Sequence, residues 1–193
     1  MYFFYFYFLA YNQRMPFLHP SIVTQYLEIL PGMRIADFGC GSGHWAIILA
    51  RAVGASGKVF AIDVQESALE ATRAQARFAH LPNVETIRAN VEVPGGTVLK
   101  DNAVDAVMIS NMLFQADEKE NVVGEAARII KPGGRAFLID WDTSMESTTL
   151  FLGPPLAQRV GRQNAEKLFL AKKFRFEKEF NAGSRHYGLI FRK

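Results

Sequence analysis

The chain has 193 residues, of which 49% are hydrophobic and 21% are charged. This is the composition of one globular domain with a sizeable core, and it leaves no length for a second full domain. The one cysteine, Cys40, excludes an internal disulfide, and the sequence contains no Cys/His cluster with the ligand count of a structural zinc site. We therefore expect a reducing, cytoplasmic location and no metal centre.

Positive charge is concentrated near the C-terminus of the chain. Residues 150–193 hold ten of the 22 Lys and Arg residues but three of the 19 Asp and Glu residues, and the net charge of the chain is +3. A basic segment of this kind can be a nucleic-acid contact, but more often it is a solvated helix face. Nucleic acid is therefore an alternative partner that the charge pattern does not favour.

An uncharged, mainly aromatic run opens the chain at residues 2–11 and is about half as long as a transmembrane helix. It lacks the basic start and the small-residue cleavage site of a secretory signal, so we expect no transmembrane or signal segment. We interpret residues 1–14 as an extension before a domain of residues 15–193. The extension is either dispensable, with Met15 as an alternative start, or an arm that packs on the domain or on a second subunit. An anchor at a membrane interface is a third alternative.

The rest of the chain alternates predicted helices and strands. Apolar residues recur at helical spacing over residues 20–30, glycines close a short apolar run at Arg34–Phe38, and His44–Val53 has the composition of a buried helix. By the same criteria we predict strands over residues 58–62, 84–89, 104–109 and 136–140, and helices over residues 65–79 and 118–130. This alternation predicts an α/β fold of three layers, in which helices cover both faces of a parallel sheet.

The C-terminal part departs from this alternation. A predicted helix over residues 156–172 is followed by strands over 174–180 and 186–191, and the residues between these strands include Gly183. The length and glycine content of this connection are suited to an antiparallel hairpin. We therefore expect a mostly parallel sheet that ends in an antiparallel hairpin.

The run of residues 37–43 carries the densest functional signal, because a strand must turn there abruptly into a helix. Gly39, Gly41 and Gly43 permit positive φ angles and remove the β-carbons that would keep a ligand away from the backbone. A tight turn without a ligand would not require three alternating glycines. The run therefore predicts a nucleotide-like ligand that lies across the N-terminus of the helix.

Asp63 closes the second predicted strand, twenty residues after Gly43. A carboxylate at this place can accept hydrogen bonds from both hydroxyls of a ribose. The alternative is an N-cap for the helix that begins at Gln65, since Asp is a favoured cap residue. Alone, Asp63 would favour the cap, but together with the glycine loop at this separation it favours the ribose.

These motifs, with Lys131-Pro132-Gly133-Gly134 before the fifth strand, resemble the class I S-adenosylmethionine-dependent methyltransferase family over about residues 20–193. The resemblance implies a Rossmann-like, doubly wound sheet of seven strands with the last strand antiparallel. It also implies an enzyme that transfers a methyl group from S-adenosyl-L-methionine bound at the C-terminal strand ends. The implied cofactor-binding residues are Asp37, Gly39, Gly41, Gly43, Asp63, Val64, Asn90, Val91 and Ser110.

The resemblance also implies a role for each of these residues. The three glycines contact the methionine portion, Asp37 orders the loop near its amino group, and Asp63 holds the ribose. Val64 packs on the adenine, while Asn90 and Val91 match the adenine-edge position. The family often has Asp where this chain has Asn90, but either side chain can accept a hydrogen bond from the adenine amino group. A surface loop role for Asn90 is the alternative.

The stretch Ser110-Asn111-Met112-Leu113-Phe114 follows the fourth strand, where the resemblance implies a pocket wall facing both cofactor and substrate. It differs from the Asn-Pro-Pro-Tyr type of sequence in amino-methylating nucleic-acid enzymes, which disfavours a base-methylating role. Asn111 is a candidate for orienting an acceptor. Met112 and Phe114 are candidates for an apolar wall, or are core residues.

Methyl transfer from a sulfonium is an in-line displacement, so alignment and water exclusion supply most of the acceleration. The catalytic residue is therefore not identified by the sequence. An acceptor that must lose a proton requires a base, and the four histidines are His19, His44, His80 and His186. His44 lies beside the glycine loop, but its alternative role is the first residue of a helix, with no chemistry. His186 is a weaker candidate. Asp140-Trp141-Asp142 is suggestive of a metal site but more in keeping with a strand end.

Three other functions compete with a small-molecule methyltransferase. Gly41-x-Gly43-x-x-Ala46 satisfies the dinucleotide pattern of an NAD-dependent oxidoreductase, but the pattern does not start directly after the strand and the terminal hairpin is unexplained. A catalytically silent methyltransferase fold that acts as a binding module is the second alternative. An RNA or protein methyltransferase is the third, and we favour a small-molecule acceptor because little length lies beyond the core.

We expect a chain that starts at Met15 to remain soluble and to bind the cofactor, because the predicted elements begin only at residue 20. Size-exclusion chromatography and a cofactor titration of both chains test this expectation. Aggregation of the shortened chain, under conditions that keep the full chain in solution, would instead place the aromatic run in the core or in a subunit interface.

Overall fold

The computed structural model describes residues 20–143 and 153–193, so the aromatic run and His19 lie outside the described residues. The helices are α1 (Pro20–Leu27), α2 (His44–Val53), α3 (Glu66–Phe78), α4 (Lys119–Ile129) and α5 (Arg162–Ala171). The strands are β1 (Arg34–Phe38), β2 (Lys58–Asp63), β3 (Val84–Arg88), β4 (Val104–Ser110), β5 (Ile130–Trp141), β6 (Arg175–Asn181) and β7 (His186–Arg192). Single 3₁₀ turns lie at Leu113–Gln115 and Leu156–Gln158.

The strands form one 7-stranded sheet in the order β3-β2-β1-β4-β5-β7-β6. β1 to β5 pair in parallel, whereas β7 runs antiparallel to both β5 and β6. β2 and β3 lie on one side of β1, and β4 and all later strands lie on its other side. This reversal opens a crevice at the carboxyl ends of β1 and β4. The predicted parallel sheet with a terminal antiparallel hairpin is confirmed.

Both faces of the sheet are covered, which is why its central strands are continuously apolar. Successive side chains of a strand point to opposite faces. In β1, Ile35 belongs to a core cluster that includes Leu27 of α1 and apolar residues of α2 and α3. Phe38 belongs to a second cluster, which includes Val122 of α4 and Phe169 of α5. Three helices therefore lie on one face and two on the other, as expected for a three-layer fold.

Two predicted helices are shorter in the structure. The first ends at Leu27, because Glu28 takes a positive φ of 50°. The second, predicted over residues 156–172, is divided into a 3₁₀ turn and α5. The Arg159 side chain donates hydrogen bonds to the carbonyls of Pro154 and Asp142, at 3.0 and 2.7 Å. These bonds hold the residues between the 3₁₀ turn and α5 against the end of β5. Helical periodicity cannot register such a tertiary contact.

The fifth strand begins at Ile130, six residues before the prediction, and contains the Lys131-Pro132-Gly133-Gly134 stretch as an irregularity in its pairing with β4. Val104 pairs with Ile130, but Ala106 pairs with Arg135, so the stretch bulges out of the ladder. Gly134 passes so close to β4 that a β-carbon would lie 2.5 Å from the Asp105 carbonyl oxygen. A glycine is required here by close backbone approach.

No helix within residues 20–143 and 153–193 is long and apolar enough to cross a membrane. The longest of the helices above, α3, has 13 residues. Their apolar side chains instead pack against the two faces of the sheet.

We expect Gly134→Ala to lower the free energy of unfolding by about 1–3 kcal/mol, because the new methyl group overlaps the Asp105 carbonyl. The matched control is Gly124→Ala in α4, where the added methyl meets only the flexible Lys172 side chain at 3.6 Å. That substitution should be neutral or stabilising by up to about 1 kcal/mol. Urea unfolding of both variants measures the difference. Equal effects would contradict the requirement for glycine at position 134.

Candidate functional site

A cleft of about 360 Å³ opens at the carboxyl ends of β1 to β4, at the point where the strand order reverses. Its lining residues are Gly39, Gly41, Ile62, Asp63, Val64, Gln65, Ala68, Ala89, Asn90, Val91, Glu92, Asn111, Met112, Gln115 and Ala116. The structure therefore brings together six of the nine residues predicted to bind the cofactor. Asp37, Gly43 and Ser110 are not part of this lining.

The three glycines of the loop all have positive φ angles, of 65°, 53° and 88°, but they differ in what surrounds them. A β-carbon on Gly41 would meet nothing within 4 Å, so this residue faces open space in the cleft. On Gly39 it would lie 2.6 Å from Met112, and on Gly43 it would lie 2.7 Å from Thr72 of α3. Gly41 thus preserves ligand space, whereas the other two permit close packing against the protein.

Asp63 fastens the glycine loop to the end of β2. One carboxylate oxygen accepts the backbone N–H of Gly41 at 3.0 Å, and the other accepts the N–H of Gln65 at 2.9 Å. The N-cap residue of α3 is Gln65, so the alternative role of Asp63 as that cap does not match the structure. Each carboxylate oxygen retains a further lone pair that can accept a hydrogen bond, and Asp63 lines the cleft.

Asp37 lies at the carboxyl end of β1 and is 1% exposed. Its Oδ2 atom has no hydrogen-bond partner among the described residues. Burial raises the pKa of this carboxyl to about 8, with a backbone N–H of Ala46 offsetting part of the rise and the charge of Asp63 adding to it. A positively charged group placed beside Asp37 would supply the missing partner and restore the carboxylate.

The loop after β3 forms the opposite end of the cleft. Asn90 Oδ1 accepts the backbone N–H of Glu92 at 2.8 Å, which fixes the turn and leaves its amide N–H groups and a second lone pair available. Val91 is buried at 4% exposure, while Val64 is 51% exposed and borders the cleft. An exposed apolar side chain next to a polar turn suits a flat, partly polar ring.

A buried polar network on α4, which the sequence did not reveal, holds the later part of this loop. Glu125 of α4 is 2% exposed and accepts hydrogen bonds from the backbone N–H groups of Gly95 and Thr97 and from the Thr97 hydroxyl. Burial alone would raise the pKa of Glu125, but the hydrogen bonds from Arg128 and Thr97 outweigh it and lower the pKa to about 2. In the sequence Glu125 is indistinguishable from a solvated helix residue.

Asn111, directly after β4, shows two features of a ligand-binding residue. Its φ of 52° lies in the left-handed region, which is uncommon for a residue other than glycine, and its buried Oδ1 has no partner among the described residues. The backbone N–H donates to the Ile139 carbonyl at 2.9 Å, so the strained conformation is held by β5. Ser110, the predicted cofactor residue beside it, pairs with Ile139 and does not line the cleft.

The two carboxylates suggestive of a metal site serve other partners. Asp140 is fully buried and accepts the backbone N–H groups of Phe114 and Trp141, at 3.2 and 2.8 Å, while burial raises its pKa to about 6. Asp142 accepts a hydrogen bond from Arg162 at 2.7 Å. Within the ranges that the structure describes, no group of three or more potential metal ligands occurs. Asp140 instead holds the 3₁₀ turn beside the cleft.

This chain is similar to known proteins of one family. A family model described as a methyltransferase domain matches residues 35–134. The demethylmenaquinone methyltransferase of Bacillus mycoides (strain KBAB4) is 33% identical over 115 residues, which cover 59% of this chain and 47% of that protein. This chain thus spans about half the length of the curated relatives it matches.

Two solved structures resemble the fold over most of the chain. A SAM dependent methyltransferase from Aquifex aeolicus has a TM-score of 0.80 and 25% sequence identity, and the match covers 91% of this chain and 89% of that chain. An arsenic (III) S-adenosylmethionine methyltransferase from Chlamydomonas reinhardtii has a TM-score of 0.67 and 25% identity, covering 85% of this chain and 64% of that chain. The likeness therefore extends beyond the segment that the family model matches.

The pKa of Asp37 predicts how stability depends on pH in the absence of ligand. Because its folded-state value of about 8 lies above the ordinary value of 3.8, the unfolded chain binds fewer protons between these pH values. The contribution of Asp37 is fully present below about pH 4 and is lost as the pH rises through about 8. Asp37→Asn removes this titration and should exceed the wild type by about 1–3 kcal/mol at pH 8, with little difference at pH 4.

Urea unfolding of the wild type and of Asp37→Asn at pH 4 and pH 8 measures this difference. Comparing the two proteins at each pH cancels the titration of all other groups. A wild type that is more stable than the variant at pH 8 would show that the buried carboxyl ionises without penalty.

Proposed function

Because the chain belongs to the class I S-adenosylmethionine-dependent methyltransferase family, we propose that it is an enzyme that transfers a methyl group from S-adenosylmethionine to a small-molecule acceptor. The observation that carries the proposal is the arrangement of residues in the cleft where the strand order reverses. Gly41 faces open space with its backbone, and the Asp63 carboxylate lies across from it at hydrogen-bond distance from the same loop.

The residues present fit the methionine half of the cofactor. Its ammonium group would supply a partner for the unpaired oxygen of Asp37, which no described residue satisfies. The left-handed backbone of Gly41 leaves room for close approach to the loop, where α2 begins at His44 and directs its N-terminus toward this edge. Asn111 offers a second unpaired oxygen on the β4 side. A binding site with these groups is incomplete without a ligand of matching polarity.

The residues present also fit the adenosine half. Asp63 would accept the two ribose hydroxyls, Val64 would pack on one face of the adenine, and Asn90 with Val91 would meet its polar edge. Support comes from the exposed side chain of Val64, the buried one of Val91 and the fixed turn at Asn90. Glu125 holds Gly95 and Thr97, which follow this turn in the same loop, so it lowers the conformational entropy that binding would otherwise cost.

When bound, S-adenosylmethionine supplies a methyl group on a positively charged sulfur, which an acceptor attacks in line. The task of the chain is to align the acceptor and to exclude water. Met112, half-buried between Gly39 and the cleft, provides apolar surface on the β4 side, and Asp140 holds the adjacent 3₁₀ turn through the Phe114 N–H. These contacts make the wall beside the reacting groups rigid.

A small molecule is the proposed acceptor. The curated relatives carry the name demethylmenaquinone methyltransferase, which refers to a small-molecule acceptor, and their similarity covers 59% of this chain. The basic C-terminal segment supports this choice, because several of its cations are paired within the protein. Arg162 pairs with Asp142 and Glu179, and Lys178 pairs with Glu28. Paired cations release fewer counterions on binding a phosphate backbone, which weakens the nucleic-acid alternative.

A cytoplasmic location and a domain of residues 15–193 belong to the same proposal. The support for a reducing compartment is Cys40, the one cysteine of the chain, which is buried. Burial, followed by the charge of Asp37, raises the pKa of its thiol to about 12, so it stays protonated and unreactive. Cys40 is therefore a core residue of the glycine loop rather than a nucleophile.

We expect the protein to bind both S-adenosylmethionine and S-adenosylhomocysteine, because the two share the groups that these residues contact, and not to bind NAD. Asp63→Ala should weaken S-adenosylhomocysteine binding by about 1.5–3 kcal/mol, or about tenfold to a hundredfold, since it removes a charged acceptor from two hydroxyls. Gly41→Val should weaken binding more, because a branched side chain fills the open space and resists positive φ. Isothermal titration calorimetry gives each affinity.

Gly133→Val is the matched control for the glycine variant. Gly133 also has a positive φ, of 79°, and a β-carbon there would also meet nothing within 4 Å, but it lies at the start of β5, at the opposite edge of the sheet. It should suffer similar backbone strain with unchanged affinity. Tight NAD binding, or S-adenosylhomocysteine affinity indifferent to both cleft substitutions in folded protein, would overturn the proposed function.

A further inference from the structure

Glu92 lines the cleft, and none of the roles described above involves its side chain. It lies in the loop after β3, two residues beyond Asn90, and is half-buried. Its Oε2 atom accepts the backbone N–H of Glu118, the residue before α4, at 2.8 Å. Its Oε1 atom takes no hydrogen bond from a described residue. One carboxylate oxygen is therefore fixed, and the other is available to a ligand.

The hydrogen bonds of this loop place Glu92 away from the ribose side of the cleft. The loop starts beside the ribose carboxylate, because the Ala89 backbone N–H donates to the Asp63 carbonyl at 3.0 Å. It then reaches the start of α4, where Glu92 meets Glu118, two residues after Ala116 of the opposite wall. A base attached to a ribose at Asp63 therefore has Glu92 toward its edge remote from the sugar. In adenine that edge carries the amino group.

Asn90 alone does not specify an amino group at this edge. Its Oδ1 already accepts the Glu92 backbone N–H at 2.8 Å, and its amide N–H groups are donors. An amide can therefore meet either a donor or an acceptor, whereas a carboxylate can meet only a donor. The methyltransferase family often has Asp at the position of Asn90. The carboxylate that this chain lacks at position 90 is present at position 92.

The charge of the cleft agrees with a nucleoside that carries no phosphate. Its lining residues include two carboxylates, Asp63 and Glu92, and no Lys or Arg. A phosphate group among them would meet uncompensated negative charge. A donor group, in contrast, gains a charge-assisted hydrogen bond from a carboxylate. The ligand group that suits the available oxygen of Glu92 is thus an N–H donor.

We propose that Glu92 selects an adenine base in the cofactor, by accepting a hydrogen bond from the 6-amino group at its available carboxylate oxygen. A base with a 6-oxo group, such as hypoxanthine, places a second acceptor against this oxygen and loses affinity. The inference rests on the proposed function, because it concerns the adenosine end of the same cleft.

A ligand–protein cycle tests the contact directly. S-adenosylhomocysteine and its analogue with hydrogen in place of the 6-amino group are titrated calorimetrically into the full-length wild type and Glu92→Ala. We expect the wild type to bind S-adenosylhomocysteine about tenfold more tightly than the analogue, because the analogue lacks the charge-assisted hydrogen bond. In Glu92→Ala the two affinities should agree within about threefold. Loss of the Glu118 contact alone would weaken both ligands equally and leave their ratio unchanged.

Glu92→Gln provides a gain of binding that a structural role does not predict. Gln keeps an oxygen for the Glu118 N–H and adds an amide N–H that can donate to a 6-oxo group. S-inosylhomocysteine, the 6-oxo analogue, should therefore bind Glu92→Gln about tenfold more tightly than the wild type. Its ring N–H is the same in both measurements, so its effect cancels.

Glu120→Gln is the matched control, because it removes the same charge from the first turn of α4. Glu120 is exposed and is not among the cleft-lining residues, so its substitution should leave every affinity unchanged. An unchanged ligand ratio in folded Glu92→Ala, or S-inosylhomocysteine binding that Glu92→Gln does not improve, would overturn the role of Glu92. Failure of the wild type to bind S-adenosylhomocysteine would instead overturn the proposed function, so the two failures are distinguishable.

Discussion

The hydrogen bond from the Gly41 backbone N–H to the Asp63 carboxylate, 3.0 Å long, is the contact on which the candidate site depends. It joins the loop after β1 to the end of β2, so the two halves of the cleft keep one relative position. The Thr72 hydroxyl of α3 donates to the Gly41 carbonyl at 3.0 Å and secures the same residue from the other side. A loop with three left-handed glycines would otherwise be conformationally free.

Within the part of the chain that the structure describes, buried polar groups differ in how fully they are hydrogen-bonded. Glu125, though buried, has hydrogen bonds from two backbone amides, a hydroxyl and Arg128. Among the residues that the structure describes, Asp37, Asn111 and His186 have buried side-chain atoms without a hydrogen-bond partner. Burial of such groups is costly unless they are paired, so a ligand with matching polar groups would stabilise the fold.

The order of strands along this edge gives the site its direction. From β3 to β4, the edge carries the turn at Asn90, the Asp63 carboxylate, the glycine loop and Asn111, all of which line the cleft. The antiparallel hairpin brings the first residue of β7, His186, beside the last residue of β5, Trp141, at the same edge. A parallel seventh strand would have placed its first residue at the opposite edge.

The sequence by itself determined the α/β fold, the terminal hairpin and six of the cleft residues, because these depend on local signals: apolar periodicity, glycines that require positive φ, and a carboxylate at a strand end. It did not determine that Gly43 packs on Thr72, that Asn111 is strained, or that Glu125 is buried. Only the tertiary structure decided these, since each depends on contacts between residues distant in the chain. The place of His186 beside Trp141 likewise depends on burial and on register across three strands, which no local pattern records.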